Sequence, residues 1–401
     1  MSGFAPLIAV KLNLKQTQVQ AVLDLFEESA TIPFIARYRK DKTGGLDEVQ
    51  IQQIQDEAKF LKEFTERKIF IEKAITEQGK MTEELQTKID HATTIAALED
   101  IYLPYKPKRK TKAQTARENG LEPLADRMLA QQQDDVMLEA AKYINDKILT
   151  AEDALQGARD IIAELVNENA EVRAKMRKLF EDTATMQSKV LTDKETEGIK
   201  YKDYFDFSEP IHKIPSHRIL AILRGFLEGV LRMSIAPVEE DALYLLEQQY
   251  IQGMNPWSDH LRKAIRDAYR RLMQPSLESE FRTALKQKAD EEAITVFAEN
   301  LRQLLLSAPL GRKNILAIDP GYRTGCKVVC LDNKGDLQTT DLIYVHENNR
   351  VYESEHKIRK LVEQFKVEAI AIGDGTAGRE TEQFIKKMQL GLPVFLVNED
   401  G

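Results

Sequence analysis

The pattern of apolar and polar positions divides the chain into two parts with different periods. Up to about residue 306, apolar residues recur every three or four positions, the spacing of amphipathic helices. Residues 46–79 carry Ile54, Ala58 and Leu61, then Ile71 and Ile75, among Gln, Glu and Lys, with Gly44-Gly45 before them and Gly79 at the end. Thr82, followed by Glu83 and Glu84, predicts a capped helix to His91. Thr150, with Asp153 three residues on, predicts a capping box opening a helix over 151–169. Pro215-Ser216 predicts a helix over 217–233, and Pro275-Ser276 the longest one, over 277–306. In that last helix Leu277, Phe281, Leu285, Ala289, Ala293, Phe297, Leu301 and Leu305 form an unbroken i,i+4 row. Such a row drifts around a straight helix and reads equally as a strut between domains or as a long core helix.

From Asn314 the grammar changes. An apolar run, 315–318, ends at Asp319 and bends at Pro320-Gly321. A second strand is predicted over 326–331, a hairpin turn at 333–336 and a third strand over 337–346. A helix follows over 351–365, a fully apolar strand over 369–372, a helix over 379–388 and a strand over 394–397. The order β-β-β-α-β-α-β is that of the ribonuclease-H-like fold. The stretch Ser307-Ala308-Pro309-Leu310-Gly311 marks the boundary between the parts.

Composition adds limits. The chain has 401 residues, 42% hydrophobic and 30% charged, as in ordinary globular proteins. No stretch approaches the roughly 18 apolar residues of a membrane span. No basic segment precedes an apolar core at the N-terminus, so neither a signal peptide nor a membrane partner is expected. The two cysteines, Cys326 and Cys330, make no disulfide framework or zinc motif, which points to a reducing, cytoplasmic setting. The net charge of -8 excludes a polycation, so any nucleic-acid contact must come from local patches.

Two kinds of patch stand out. In the predicted topology the first and fourth strands are neighbours, and Asp319, Asp374 and Glu399 follow the ends of strands one, four and five. Three carboxylates converging there would hold Mg²⁺, with Asp319 and Asp374 as first ligands, and the ions would activate water against a phosphodiester. Asp-Pro-Gly and Asp-Gly are equally plain turn sequences. The same loops resemble the phosphate loops of sugar kinases and actin-like ATPases, which need two such domains facing each other.

The second kind is basic. Residues 104–117, PYKPKRKTKAQTAR, hold Lys106, Lys108, Arg109, Lys110, Lys112 and Arg117 with no acid until Glu118, and their two prolines predict a loop able to track a phosphate backbone. Residues 32–42, IPFIARYRKDK, interleave Arg37, Arg39 and Lys40 with aromatics, as single-strand binders do. There, core packing of Phe34, Ile35 and Tyr38 is the preferred reading. On the helix expected within 255–273, Arg262, Arg266 and Arg270 form an i,i+4 row that should remain mostly free.

Several long stretches together resemble one family: TIPFIARYRKDKTGGLDE (31–48), LEDIYLPYKPKRKTKAQTARENGLEPLA (98–125), YFDFSEPIHKIPSHRILAILRG (204–225), GMNPWSDHLRKAIRDAYRRLMQPSLESE (253–280) and ILAIDPGYRTGCKVV (315–329). They are similar to the Tex family of bacterial transcription accessory proteins, themselves related to a eukaryotic transcription elongation factor. The resemblance implies a mainly α chain: a multi-helical N-terminal region with helix-turn-helix character, then a partial α/β, ribonuclease-H-like (YqgF-like) domain. Its domains would run over 1–200, 201–313 (further helices and the connecting helix) and 314–401. It also implies helix-hairpin-helix modules and an OB-type RNA-binding domain outside this chain, which would then be the N-terminal portion of a longer protein. Asp319 matches the first acidic motif of RuvC-like nucleases, Asp374 lies near the second, and Glu399 falls where an Asp-Glu-Arg motif is expected.

The function these readings favour is a non-enzymatic, cofactor-free scaffold with a degenerate nuclease-like domain, binding RNA or DNA and transcription components. The alternatives are a metal-dependent nuclease or resolvase, and an interaction scaffold whose nucleic-acid binding lies in modules outside the chain.

Overall fold

The structure, a computed structural model, describes residues 2–107, 109–133, 135–306, 309–322, 324–345 and 350–398. It divides into two units, Met1–Val296 and Phe297–Gly401, and the division falls within the helix Gln274–Leu306.

The first unit is built on three main apolar clusters. Ile8, Val19, Leu23 and Ile35, from the helices Ala5–Leu12, Gln16–Glu27 and Ile32–Tyr38, pack with Ile51 and Ile54. Ile71 and Ile75 pack instead with Ile89, Leu98 and Tyr102. The helix Glu48–Glu77 thus serves two cores, and between Ala58 and Ile71 it fully buries no side chain, Leu61 and Phe64 being partly covered. Asp47 and Gln50 close a capping box at its start, which satisfies amide donors that the first turn leaves orphaned. Thr82 caps the helix Glu83–His91 by accepting from the Leu85 amide, and Thr150 with Asp153 closes a capping box on Ala151–Glu168, as their spacing predicts.

The third and largest cluster surrounds Ala151–Glu168, which buries Leu155, Ile161, Ile162 and Val166. Gly157 lies on this helix where an added Cβ would collide with Leu121 and crowd Ala116, so the neighbouring helix Lys112–Glu118 seats close against it. A buried ionic network joins three further helices. Asp100 accepts from Arg173 at 2.6 Å and from Arg177 at 2.8 Å, and Arg177 also reaches Glu280 at 2.5 Å. Ser276 and Asn167 take the remaining Arg173 donors, so no buried charge in the group is left unpaired.

The first unit departs from the helix-after-helix expectation in two places. A three-stranded antiparallel sheet is present: β1 (Thr185–Val190) lies between β2 (Asp206–Pro210) and β3 (Leu231–Ala236). The helix expected over 217–233 is Ser216–Leu227. Gly229 then turns the chain in the left-handed region (φ 69°), and Leu231, Met233 and Ile235 point inward with the period of a strand. Nor does Pro275 open a helix. Ser258–Asp267 continues through a π-helical segment, Ala268–Met273, into Gln274–Leu306. A wider turn ahead of the proline leaves room for the ring and absorbs its missing N–H.

The second unit has the predicted strand order. β4 (Ile315–Asp319) pairs antiparallel with β5 (Cys326–Leu331) and parallel with β7 (Ala369–Gly373); β6 (Leu337–Ile343) and β8 (Val394–Val397) form the edges. Helices Val351–Gln364 and Gly378–Lys387 make the two crossovers, and their Ile358, Phe384 and Ile385 pack on Leu316, Val328, Ile370 and Ile372. Among the described residues no helix is long and apolar enough to cross a membrane.

Candidate nucleic-acid interface

The basic stretch is more ordered than a loop. Thr94 caps the helix Ile95–Tyr102, and a 3-10 turn, Leu103–Tyr105, follows. Thr111 then accepts from the Gln114 amide at 2.9 Å and opens the helix Lys112–Glu118. Of the described residues, 106, 107 and 109–111 are irregular, and the rest of the stretch is helical because a good N-cap follows the prolines.

Several of its charges are matched by acids from elsewhere. Lys106 donates to Glu99 at 2.6 Å, and Arg67 binds the same carboxylate. Burial by itself would raise the Glu99 carboxyl, but the hydrogen bonds from Arg67 and Lys106 outweigh it and hold the group below the usual carboxylate range. Lys110 pairs with Glu118 at 2.8 Å, and Arg117 with Glu164 at 2.6 Å and Glu122 at 3.5 Å. Arg109 makes no ion pair among the described residues, and Lys108 lies outside them.

What remains is a groove of about 780 Å³ lined by Gln78, Lys80, Tyr105, Lys106, Arg109, Lys110, Gln114 and Arg117, with Glu164 and Glu168 also in its wall. Sequence reasoning missed Lys80, Gln78 and Tyr105. Gln78 donates to the Tyr105 carbonyl at 2.9 Å, and the Lys80 ammonium lies 6.0 Å from the Tyr105 ring centre. Lys80 is a single cation behind Gly79, and nothing local to the sequence distinguishes it. Lys112 is not in the groove. It borders a smaller crevice, about 290 Å³, with Lys147, Asp153 and Asp160, where burial raises the Asp160 carboxyl.

The other two basic patches also change on folding. Within Ile32–Tyr38 only Ile35 and Ala36 are buried. Phe34 and Tyr38, expected in the core, are 37% and 66% exposed. Their spacing of four sets them together on a face that does not meet the core. Arg37 is exposed and lies 3.8 Å from Glu48, while Arg39 and Lys40 have no ion-pair partner among the described residues. On Ser258–Asp267 and the turn after it, the Arg row is not mostly free. Arg262 pairs with Asp259 at 3.0 Å and Glu247 at 3.6 Å, and Arg270 with Glu239 at 2.7 Å, leaving Arg266 exposed. The partners Glu247 and Glu239 come from the helix Glu239–Tyr250, which the row itself does not announce.

At the strand ends of the second unit, Asp319 closes β4 and Asp374 follows β7, its parallel neighbour. Each is already engaged: Lys327 donates to Asp319 at 3.2 Å, and the Asn398 amide donates to Asp374 at 3.0 Å. Glu399 lies outside the described residues. Among those described, no three of His, Cys, Asp and Glu gather as a metal-holding group. Of the three acids expected to hold metal, the described residues thus include two, each with its Oδ2 in a hydrogen bond.

A multi-helical region followed by a ribonuclease-H-type sheet of the YqgF-like class is therefore what fold and site define. Three family models match in succession: the Tex-like protein N-terminal domain over residues 3–76, the Tex central region-like model over 131–297 and the Tex protein YqgF-like domain over 313–401. The chain is 42% identical over 393 residues to the transcriptional accessory protein Tex of Neisseria gonorrhoeae, covering 96% of this chain and 52% of that protein. It is 42% identical over 403 residues to the protein tex of Bordetella pertussis, covering 96% and 51%. To the human S1 RNA-binding domain-containing protein 1 it is 29% identical over 393 residues, covering 94% and 39%. The chain belongs to the Tex family. It spans about half the length of the bacterial relatives it matches.

Proposed function

We propose that this chain is a nucleic-acid-binding, non-enzymatic part of a transcription accessory protein, and that it holds the phosphate backbone of RNA or DNA in the groove between Lys80 and Arg117. The observation that carries this reading is the gathering of Lys80, Lys106, Arg109, Lys110 and Arg117 around one groove in a chain of net charge -8. Lys80 and Arg109 have no carboxylate partner among the described residues, so their charge is available to a phosphate. Lysine and arginine that neutralise phosphates release counterions, which makes affinity fall steeply with salt. The names of the relatives agree with a place in transcription, and one names an RNA-binding domain. The YqgF-like domain acts here as a scaffold, since the two described strand-end acids are engaged by Lys327 and Asn398.

The test is fluorescence anisotropy of labelled single-stranded RNA and duplex DNA across a salt series. The variant Lys80→Ala/Arg109→Ala should bind weakly, and its log–log salt slope on RNA should be shallower by about 1.4, at roughly 0.7 per phosphate contact. An unchanged slope would remove the groove from the binding surface.

A further inference from the structure

Phe34 and Tyr38 form an exposed aromatic pair that no core explains. They stand one helical turn apart on Ile32–Tyr38, with ring centres 5.6 Å apart and planes tilted by 44°. The Arg39 guanidinium lies 4.6 Å from the centre of the Phe34 ring, and its Nη1 donates to the Tyr38 carbonyl at 2.9 Å. That contact fixes one cation against an aromatic face. Single exposed apolar residues are common on this chain, but here two aromatic rings stand side by side with a cation against one of them. The residues before and between them on the buried side, Ile35 and Ala36, already seal the helix to its core, so the pair is not needed for packing.

We propose that Phe34 and Tyr38, with Arg39 against Phe34, are a stacking platform for unpaired bases, which gives this end of the chain a preference for single-stranded nucleic acid. Every base offers a π-face, and stacking on an aromatic side chain is independent of sequence. Admitting a base between the rings would take about 7 Å, twice the stacking rise, so bases lie on the outer faces of the pair. Arg37, Lys40 and Lys42 flank it as exposed cations for the adjoining phosphates. Asp41 lies among these cations, Glu48 faces Arg37 and Asp47 is spent on a helix cap, while the rings themselves carry no charge. The platform should therefore add affinity with little dependence on salt, unlike the groove. Within this segment the aromatics stand among four cations, Arg37, Arg39, Lys40 and Lys42, with Asp41 as the one acid, the interleaving that single-strand binders use. The inference shares the ligand class of the groove but rests on different residues.

The experiment measures anisotropy of a short unstructured RNA and of duplex DNA with three forms of the whole chain. Phe34→Leu/Tyr38→Leu keeps apolar bulk and helix propensity and removes the π-faces. It should weaken RNA binding roughly tenfold, leave duplex binding unchanged, and leave the salt slope unaltered. Phe34→Trp/Tyr38→Trp should retain RNA affinity. The groove variant should instead weaken both probes and flatten the slope. If the leucine variant binds RNA as the parent does, or weakens both probes equally, the platform is refuted while the groove stands on its own result. If only the groove variant is silent, the groove reading fails and the platform survives.

Discussion

The cationic groove of the helical unit draws most of its charge from one run of sequence, joined on folding by Lys80, whereas the acidic strand ends of the YqgF-like domain take theirs from two separate strands. They differ in how much of that charge is left over. At the strand ends, Asp319 faces a lysine one strand away and Asp374 an amide one strand away. In the groove, the carboxylates of Glu99, Glu118 and Glu164 account for Lys106, Lys110 and Arg117, and Lys80 and Arg109 remain. A run of charge in a sequence is thus a poor measure of the charge a surface offers. The ion pairs are also structural: those that hold Lys106 and Arg117 fix the walls within which the unpaired cations act.

The comparison breaks most severely if the foundation of the groove is removed. Asp100 sits on the same helix as Glu99, and Asp100→Ala would leave Arg173 buried without its carboxylate. We expect a loss of roughly 3–5 kcal/mol in chemical denaturation, the usual effect of breaking a buried pair, with loss of the groove's binding as a consequence. Next in size is the groove variant itself, with an expected weakening of RNA binding of about tenfold or more at low salt and native far-UV circular dichroism.

A smaller effect concerns pH. His260 accepts from Arg159 through Nδ1 at 2.9 Å, and Arg159 lies on the helix that also carries Glu164. Burial, then the charges of Arg159 and Lys263, hold this imidazole below the usual histidine range. The folded chain therefore binds the proton less readily than the unfolded one. Its contribution is complete above about pH 6.5, the ordinary histidine value, and is lost as pH falls toward the folded value. Urea midpoints measured on either side of that value should drop on acidification in the parent and drop less in His260→Gln. The smallest effect is expected at the strand ends. Asp319 and Lys327 are exposed, so Asp319→Asn should change stability by no more than about 0.5 kcal/mol and leave nucleic-acid binding unchanged. Neither form should cleave labelled RNA or DNA with Mg²⁺ or Mn²⁺; cleavage by the parent, abolished in the variant, would reverse the comparison.

How much of this was legible before folding depends on the range of the interaction. Thr82, Thr150 and Asp153 announce helix starts because a cap is completed within four residues. The order β4 to β8 is readable because turns and apolar runs alternate at short range. The strands β1 and β2 escape because TMQSKV and DFSEP have half-polar faces and gain their stability from pairing with distant partners. β3 carries a signal in Gly229 and the alternation after it, overshadowed by the helical pattern before it. The groove could be foreseen as a basic segment. Lys80 could not, nor could the partners Glu99 and Glu164, because tertiary packing alone sets them beside it.

The helix Glu48–Glu77 has one further consequence. It is about 45 Å long at 1.5 Å per residue, and its two ends are gripped by separate cores while its middle is only partly covered. Its middle therefore acts as a shaft whose rotational phase sets the azimuth of one core against the other. Inserting a single residue there would swing the second core by about 100° around the axis, whereas inserting seven would lengthen the shaft and bring it back to within about 20°. Insertions between these cores would preserve their mutual orientation only in steps that keep the phase.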